Sequence, residues 1–353
     1  MRQVAHDNPD GAPLPLGKLP AELLARLLAR VPLSPDVILP AGIGRDAAAV
    51  RVGEQALVLK TDPVTFATDA IGWYAVNVGA NDIACLGAAP RWMLATVLLP
   101  EGGASPALAE RILDDLLSAC RALGVSLVGG HTEITAGLDR PIVVGMLAGL
   151  TDPASLIDPR RARPGDAILL ANGIAIEGTA LLARELAGPL TERFGADFVA
   201  RCREFLYRPG ISVVDAAGVL HQALGQEVHA LHDPTEGGLA TGLRELAAAI
   251  DGGLLVDENA IFVYPETRVI CRALGLDPLG LIASGALLAV VDPAAREPAL
   301  AALRAAGINA AALGSLTAEA GQLLLRRDGR EEPLPAFAVD ELARYLASER
   351  GTH

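Results

Sequence analysis

Hydrophobic and polar positions recur along the chain with two different periods, which predicts a protein built from helices and strands. Leucines on one face predict a helix over residues 20–31. The same period predicts helices over residues 70–86, 106–123, 177–186, 211–224, 237–250 and 295–306. Short apolar runs predict strands over residues 56–60, 91–99, 125–128, 141–150, 167–171, 228–231, 286–291 and 322–326. This order indicates a mixed, layered α/β fold.

The chain divides where its composition changes. Residues 151–165 are rich in Pro, Asp and Arg, as is typical of a connection between domains. A chain of 353 residues also exceeds one ordinary hydrophobic core. We therefore predict two domains, residues 1–155 and 160–345.

Composition and charge narrow the choice of partners. Hydrophobic residues make up 51% of the chain and the net charge is −13, so a folded protein that repels nucleic acid and anionic membranes is expected. No apolar run approaches the roughly 20 residues that span a bilayer, and residues 1–20 carry no secretory signal core. We expect a cytoplasmic protein whose cysteines, none in a Cys-x-x-Cys pair, are buried free thiols.

Glycines and carboxylates gather in three segments of the first half. Carboxylate oxygens are ligands that Mg²⁺ prefers, glycines let a ligand approach the backbone, and a lysine can pair with phosphate. The candidates are Gly42, Gly44 and Asp46, then Lys60, Thr61 and Asp62 with Thr65 and Thr68 after them, then Asn81 and Asp82. Each segment alone could equally be a turn, a solvated strand end or a paired helix position.

A fourth segment follows the strand predicted at 125–128. Gly129 and Gly130 predict a turn that presents His131 and Glu133 at the end of the strand, where they suit ligand binding or proton transfer. The alternative is a hydrogen-bonded turn histidine.

Two further segments lie between a strand and a helix in the second half. Free N–H groups at helix N-termini bind phosphate, which makes Gly173, Gly237 and Gly238 candidates for nucleotide contacts. Asp233 and Thr235 add a carboxylate and a hydroxyl beside them. His229 and His232 are three positions apart in a strand and should point to opposite faces, so we do not expect a zinc site.

Together, and in this order, the segments resemble the superfamily of AIR synthase (PurM) and HypE, which also contains thiamine-monophosphate kinase and selenophosphate synthetase. The first half carries Gly-x-Gly-x-Asp-Ala-Ala at 42–48, Thr-Asp at 61–62, and Asn-Asp-Ile-Ala at 81–84 with Gly-Ala-Ala-Pro at 87–90. The segments at 232–239 and 274–279 are most similar to HypE, the hydrogenase expression/formation protein. The resemblance covers roughly residues 20–330.

The resemblance implies two α/β domains of the AIR synthase N-terminal and C-terminal types, and a homodimer joined through an N-domain β-barrel. It implies ATP and Mg²⁺ as cofactors, with phosphorylation of an oxygen atom on a small molecule or peptide, followed by displacement or dehydration. Carried over by position, Asp46, Asp62 and Asp82 would bind metal, and His131, Glu133 and Asp233 would be catalytic. The remaining candidates above would contact the nucleotide.

The chain departs from the family pattern at several positions. HypE proteins end in the cysteine that carries the group they dehydrate, whereas this sequence ends in Ser348 to His353. Arg45 and His131 stand where many relatives have acidic residues, Glu236 where HypE has Arg, and Ser284 where HypE has Glu. Two alternatives therefore stay open: a small-molecule kinase of the thiamine-monophosphate kinase type, and a non-catalytic nucleotide-binding assembly factor. An acidic surface also suits a protein partner.

Overall fold

The computed structural model describes residues 14, 17–65, 67 and 69–350, apart from the side chains of 349 and 350. Two predictions fall outside the described residues: Thr68, and most of residues 1–20, for which we expect no secretory signal core. No helix within it is long and apolar enough to cross a membrane. Two separate sheets organise the chain, one on each side of the proline-rich connection.

The first half forms a six-stranded sheet with helices on one face. Its elements are α1 (Ala21–Leu28), β1 (Val37–Leu39), β2 (Ala48–Val52), β3 (Gln55–Val64), α2 (Ile71–Cys85), β4 (Ala89–Pro100), α3 (Pro106–Leu123), β5 (Ser126–Thr135) and β6 (Ile142–Thr151). The strand order is β1-β2-β3-β6-β4-β5. All neighbours are antiparallel except β4 and β5, which are parallel. Strand β5 is at one edge of the sheet.

Local sequence explains the helices on this sheet. Ser105 caps α3 by accepting a hydrogen bond from the backbone N–H of Leu108, and Pro106 follows at the first helical position. Gly124, with φ 67°, ends the helix in the left-handed conformation that favours glycine. The helix α2 is almost wholly buried between the sheet and α3, so its polar residues need partners.

The second half forms a seven-stranded sheet. Its elements are β7 (Ala167–Ala171), α4 (Ile176–Glu185), α5 (Ala187–Phe194), α6 (Ala196–Glu204), α7 (Val214–Leu224), β8 (Val228–His232), α8 (Gly238–Ala249), β9 (Gly253–Asp257), α9 (Pro265–Leu274), β10 (Leu287–Val291), α10 (Arg296–Ala305), β11 (Ala310–Thr317), β12 (Leu323–Arg327), β13 (Arg330–Pro333) and α11 (Glu341–Arg350). The strand order is β13-β12-β9-β11-β7-β10-β8. Every residue of β7, β8 and β10 is buried, because apolar layers cover both sheet faces.

The two domains pack directly against each other through α2. The side-chain amide of Asn81 donates to the carbonyl of Ile211 at 2.9 Å and accepts from the N–H of Val213 at 2.8 Å. These bonds satisfy a buried polar group and fix the second domain against the first.

The structure confirms a two-domain α/β fold with mixed sheets. The first sheet is open, and no closed barrel forms among the described residues of one chain. The predicted bounds of the helix at 106–123 and the strand at 167–171 are those observed. The predicted domain bounds, with the first domain ending at residue 155 and the second beginning at residue 160, stay a prediction.

Candidate functional site

Polar side chains from both domains meet at the interface between them. Half of them are buried and the other half are partly buried. They are Asp46 before β2, Lys60 and Asp62 on β3, Asp82 and Cys85 on α2, His232 at the end of β8, Asp233 after it, and Glu245 on α8.

Lys60 joins two of the carboxylates predicted to bind metal. Its Nζ lies 3.2 Å from Oδ2 of Asp62 and 3.1 Å from Oδ2 of Asp82. Burial alone would lower the pKa of Lys60, but Asp82 and Asp62 raise it, so the ammonium stays charged. Burial raises the pKa of Asp82 well above its usual range, and Lys60 opposes that shift.

His232, in the second domain, contacts one carboxylate of each domain. Its Nδ1 lies 2.7 Å from Oδ1 of Asp46 and its Nε2 lies 3.2 Å from Oε2 of Glu245. Burial would lower the pKa of His232, yet these carboxylates raise it well above its usual value. Glu245 also accepts from Nζ of Lys18 at 2.9 Å, and despite its burial the His232 and Lys18 contacts lower its pKa to about 2.

Three side chains next to this histidine offer ligand atoms to a cation. One ligand atom each of Asp46, Cys85 and Asp233 lie within 4.8 Å of one another. No hydrogen-bond partner among the described residues reaches Oδ2 of Asp46 or Oδ2 of Asp233, although both atoms are buried. Burial and the nearby Asp46 raise the pKa of Asp233 to about 7. Orphaned carboxylate oxygens at this spacing fit a divalent cation such as Mg²⁺.

A cavity of about 500 Å³ opens between the domains beside the cluster. Among its lining residues, Asp62 and Thr235 are two of the predicted site residues. The others include Gly17, Lys18, Pro63, Val64, Thr65, Ala67, Tyr74, Val78, Glu177, Leu181, Glu236, Ile282 and Ser284. The cavity therefore joins a charged side to an apolar one, as ligand sites commonly do.

The predicted glycines mostly allow close packing. A Cβ at Gly44 would lie 2.1 Å from the backbone oxygen of Glu245, and one at Gly173 would lie 2.5 Å from the ring of Tyr264. The N–H of Gly237 donates to the Asp340 carboxylate at 2.6 Å. Gly238 packs against the backbone of residues 279–281, and Gly42 pairs with Arg45 in a tight turn.

The segment with Gly129, Gly130, His131 and Glu133 differs from its prediction. These residues form no turn; they continue β5, in register with β4. A Cβ at Gly130 would lie 1.9 Å from the Ala95 oxygen, so the glycine serves close strand packing rather than a turn.

His131 and Glu133 are exposed on this edge strand. His131 Nε2 lies 3.1 Å from Oε2 of Glu133, and neither lines the interdomain cavity. Strand β5 is three positions from β3 in the sheet, roughly 14 Å at the usual strand spacing. Within one chain the structure does not bring His131 or Glu133 to the acidic cluster.

Known proteins share this two-domain arrangement. The model of the AIR synthase related protein N-terminal domain matches residues 44–151, and that of the C-terminal domain matches residues 163–324. The chain belongs to the AIR synthase-related family. A carbamoyl dehydratase HypE of Rhizobium leguminosarum bv. viciae is 33% identical over 285 residues, which cover 78% of each protein.

Two further members of the family extend the comparison. A putative hydrogenase expression/formation protein of Methanocaldococcus jannaschii is 29% identical and covers 78% of this chain and 80% of its own. A crystal structure of the hydrogenase maturation protein HypE in complex with ATP is 28% identical, with a TM-score of 0.70, covering 90% of this chain and 96% of its own. The predicted resemblance to the AIR synthase and HypE superfamily is thereby confirmed.

Sequence reasoning missed several residues at the site of this AIR synthase-related chain. His232 was visible beside Asp233, but nothing local indicated that Asp46, 186 residues away, would be its partner. Cys85, Glu177 and Glu245 lie on helices, where their inward direction depends on the packing of the two domains. Glu177 carried one signal, since an acidic residue stands among apolar ones at the start of α4.

Proposed function

We propose that this chain binds ATP with Mg²⁺ at the interdomain cluster and uses it to activate an oxygen atom of a second molecule. The observation that carries the proposal is the pair of buried carboxylate oxygens without partners among the described residues, on Asp46 and Asp233, close to the ion pair of Lys60 and Asp82. A polyphosphate with a bound cation would pair with both: its oxygens with the Lys60 ammonium, and the cation with the carboxylates. The family relation to HypE, one of which is known in complex with ATP, supports the same proposal.

Within this proposal the acidic residues hold the metal. Asp46, Asp62 and Asp82 are the predicted ligands, and Asp233 adds a fourth carboxylate next to Asp46. Bound Mg²⁺ supplies positive charge against the phosphate oxygens. Lys60 contributes a fixed ammonium, and Thr235 contributes a hydroxyl to the cavity wall.

His131 and Glu133 are proposed to act at the acceptor, and β5 limits how they can do so. Both lie on the outer side of the first sheet, away from the cavity of their own chain. We propose that a homodimer forms through this sheet and places the pair near the site of the second copy.

Calorimetric titration with ATP, with and without Mg²⁺, tests the nucleotide site. Micromolar binding that depends on Mg²⁺ is expected. Asp82→Asn should abolish it, because the change removes one of the proposed metal ligands while conserving the shape of the side chain. Asp114→Asn on the exposed side of α3 is the matched control and should bind as wild type does.

The product of ATP turnover then separates the two enzymatic alternatives. Release of inorganic phosphate in the presence of an acceptor supports activation of the HypE type. Retention of the phosphate on the acceptor supports a small-molecule kinase. Absence of ATP binding under both conditions contradicts the proposed site and favours an assembly factor. Wild-type affinity in Asp82→Asn contradicts the assignment of Asp82 as a metal ligand.

A further inference from the structure

Three buried oxygen atoms on the wall of the interdomain cavity have hydrogen-bonding capacity that no described residue outside this group uses. They are Oε2 of Glu177, Oγ of Ser284 and the hydroxyl oxygen of Tyr74. Ser284 lies next to Glu177 and acts as its hydrogen-bond donor. The three residues are 6%, 0% and 1% exposed, and all three line the cavity. Buried polar groups with unused capacity cost stability, so a protein that keeps three in one cavity is prepared for a ligand that bonds to them.

The charge around these atoms is negative. Among the described residues that line the cavity, Glu177, Glu236 and Asp62 are carboxylates and Lys18 is the one lysine or arginine. Lys18 pairs with Glu245, which lies outside the lining, and Asp62 pairs with Lys60. Glu177 and Glu236 are therefore cavity carboxylates without a salt bridge among the described residues.

Glu177 also shows the cost of this arrangement. Burial raises the pKa of its carboxyl to about 7, and Asp340 and Glu236 raise it as well, while hydrogen bonds from Ser284 act against the shift. Arg184, whose charge lowers the pKa of Tyr74, pairs with Asp69 at 3.3 Å. A cation entering the cavity would offset the burial of this carboxylate.

The remaining wall is apolar. Val78 comes from α2, Leu181 from α4, and Pro63, Val64 and Ile282 complete this side. Such a surface suits an aliphatic stem next to the polar end of the ligand.

We propose that the cavity binds the primary ammonium group of an aliphatic amine against Glu177, Ser284 and Tyr74, and that the acceptor of this chain is an amine-bearing molecule. A primary ammonium has three N–H donors and no acceptor, which matches three oxygen atoms that can each accept a further hydrogen bond. A carboxylate or phosphate at the same wall would face Glu177 and Glu236 and be repelled. The inference rests on the proposed function only in treating the amine as part of the acceptor.

Titration of the full chain with butylammonium, without nucleotide, tests the proposal. Butan-1-ol and butyrate are the neutral and anionic controls of similar shape, and ligand-observed NMR measures the affinities. Butylammonium should bind at least tenfold more tightly than butan-1-ol, and butyrate should not bind. Equal binding of the amine and the alcohol, or stronger binding of butyrate, overturns the proposal.

Variants locate the binding. Glu177→Gln should remove the tenfold preference, while Glu192→Gln, an exposed glutamate on α5, should keep it. If Glu177→Gln does not fold, as judged by circular dichroism, Ser284→Ala should weaken the amine by about fivefold through loss of one hydrogen bond. Wild-type preference in every variant that folds contradicts the assignment to this wall.

Nucleotide binding separates this proposal from the preceding one. Glu177→Gln should bind Mg-ATP as wild type does, since the carboxyl is not among the proposed metal ligands. Failure of the wild type to bind ATP would overturn the nucleotide site alone, because the amine titration contains no nucleotide.

Discussion

At the scale of single residues, His232 connects the two domains most directly. Its ring lies between Asp46 of the first domain and Glu245 of the second, with both carboxylates within hydrogen-bond distance. A buried charge is stabilising only while its partners are present, and removal of one partner leaves the others uncompensated. The histidine therefore neutralises Asp46 and shares Glu245 with Lys18.

We predict that His232→Gln lowers the free energy of unfolding by about 3 kcal/mol, since it leaves the Asp46 carboxylate without its cation partner while Glu245 keeps Lys18. Urea denaturation measures the change, and His131→Gln at the exposed edge of the sheet is the control, with little expected effect. Equal stability of His232→Gln and wild type would contradict this.

The pH dependence follows from the raised pKa of His232 in the folded state. A raised pKa means that folding favours the protonated ring, so the stabilisation is fully present below the unfolded value of about 6.5. This stabilisation is lost as the pH rises through the pKa of His232 in the folded protein. The difference between wild type and His232→Gln should thus be largest near pH 6 and shrink in alkaline solution.

The carboxylates and the histidine differ in how far sequence could predict them. Asp46, Asp62, Asp82 and Asp233 stand in short local patterns of glycines and polar residues, which are visible without a fold. The contacts of His232 join positions 186 residues apart, and no local pattern encodes that distance. The sequence therefore predicted which acids gather, but not which cations hold them.

At the scale of elements, the turn before β2 meets α8 at a glycine. Gly44 has φ +67°, and a Cβ there would lie 2.1 Å from the Glu245 oxygen, a backbone atom that cannot move aside without displacing α8. Gly53 has φ +60° and open space around its Cβ position. The two glycines share a conformation and differ in what surrounds them.

We predict that Gly44→Ala destabilises the protein clearly more than Gly53→Ala. The left-handed conformation should cost about 1–2 kcal/mol in both variants, and only Gly44→Ala adds a backbone clash between the domains. Thermal unfolding of both variants measures the difference. Equal losses would show that α8 yields without cost and would contradict the close contact.

Element prediction succeeded where periodicity and caps agree. Helix α3 has Ser105 and Pro106 at its start and Gly124 at its end, and its bounds were predicted correctly. Strand β5 was predicted to end before Gly129 because a glycine pair is typical of a turn. Here the pair lets β5 approach β4 closely, a tertiary reason that local propensity does not contain.

At the scale of the whole molecule, one face of the first sheet is left uncovered by the described part of the chain. Alternate residues of β4, among them Met93 and Val97, are buried under the helices. The residues between them point outward, and Trp92 and Leu94 are 37% and 42% exposed. Leu94 pairs with the half-buried Met146 of β6, so the apolar outer surface continues across strands. An exposed apolar surface of this kind marks an interaction site.

We predict that the protein is a dimer through this surface and that Leu94→Glu makes it monomeric, because the change places a charge in the centre of the apolar face. Light scattering after size exclusion measures the mass, and Val52→Glu, at the exposed end of β2, should stay dimeric. A monomeric wild type, or a dimeric Leu94→Glu, would contradict the interface.

His131 lies opposite Thr96 on the strand beside Leu94, so the same variant also tests whether this histidine acts across the dimer. If it does, Leu94→Glu should lose acceptor turnover while retaining the affinity for Mg-ATP within one chain.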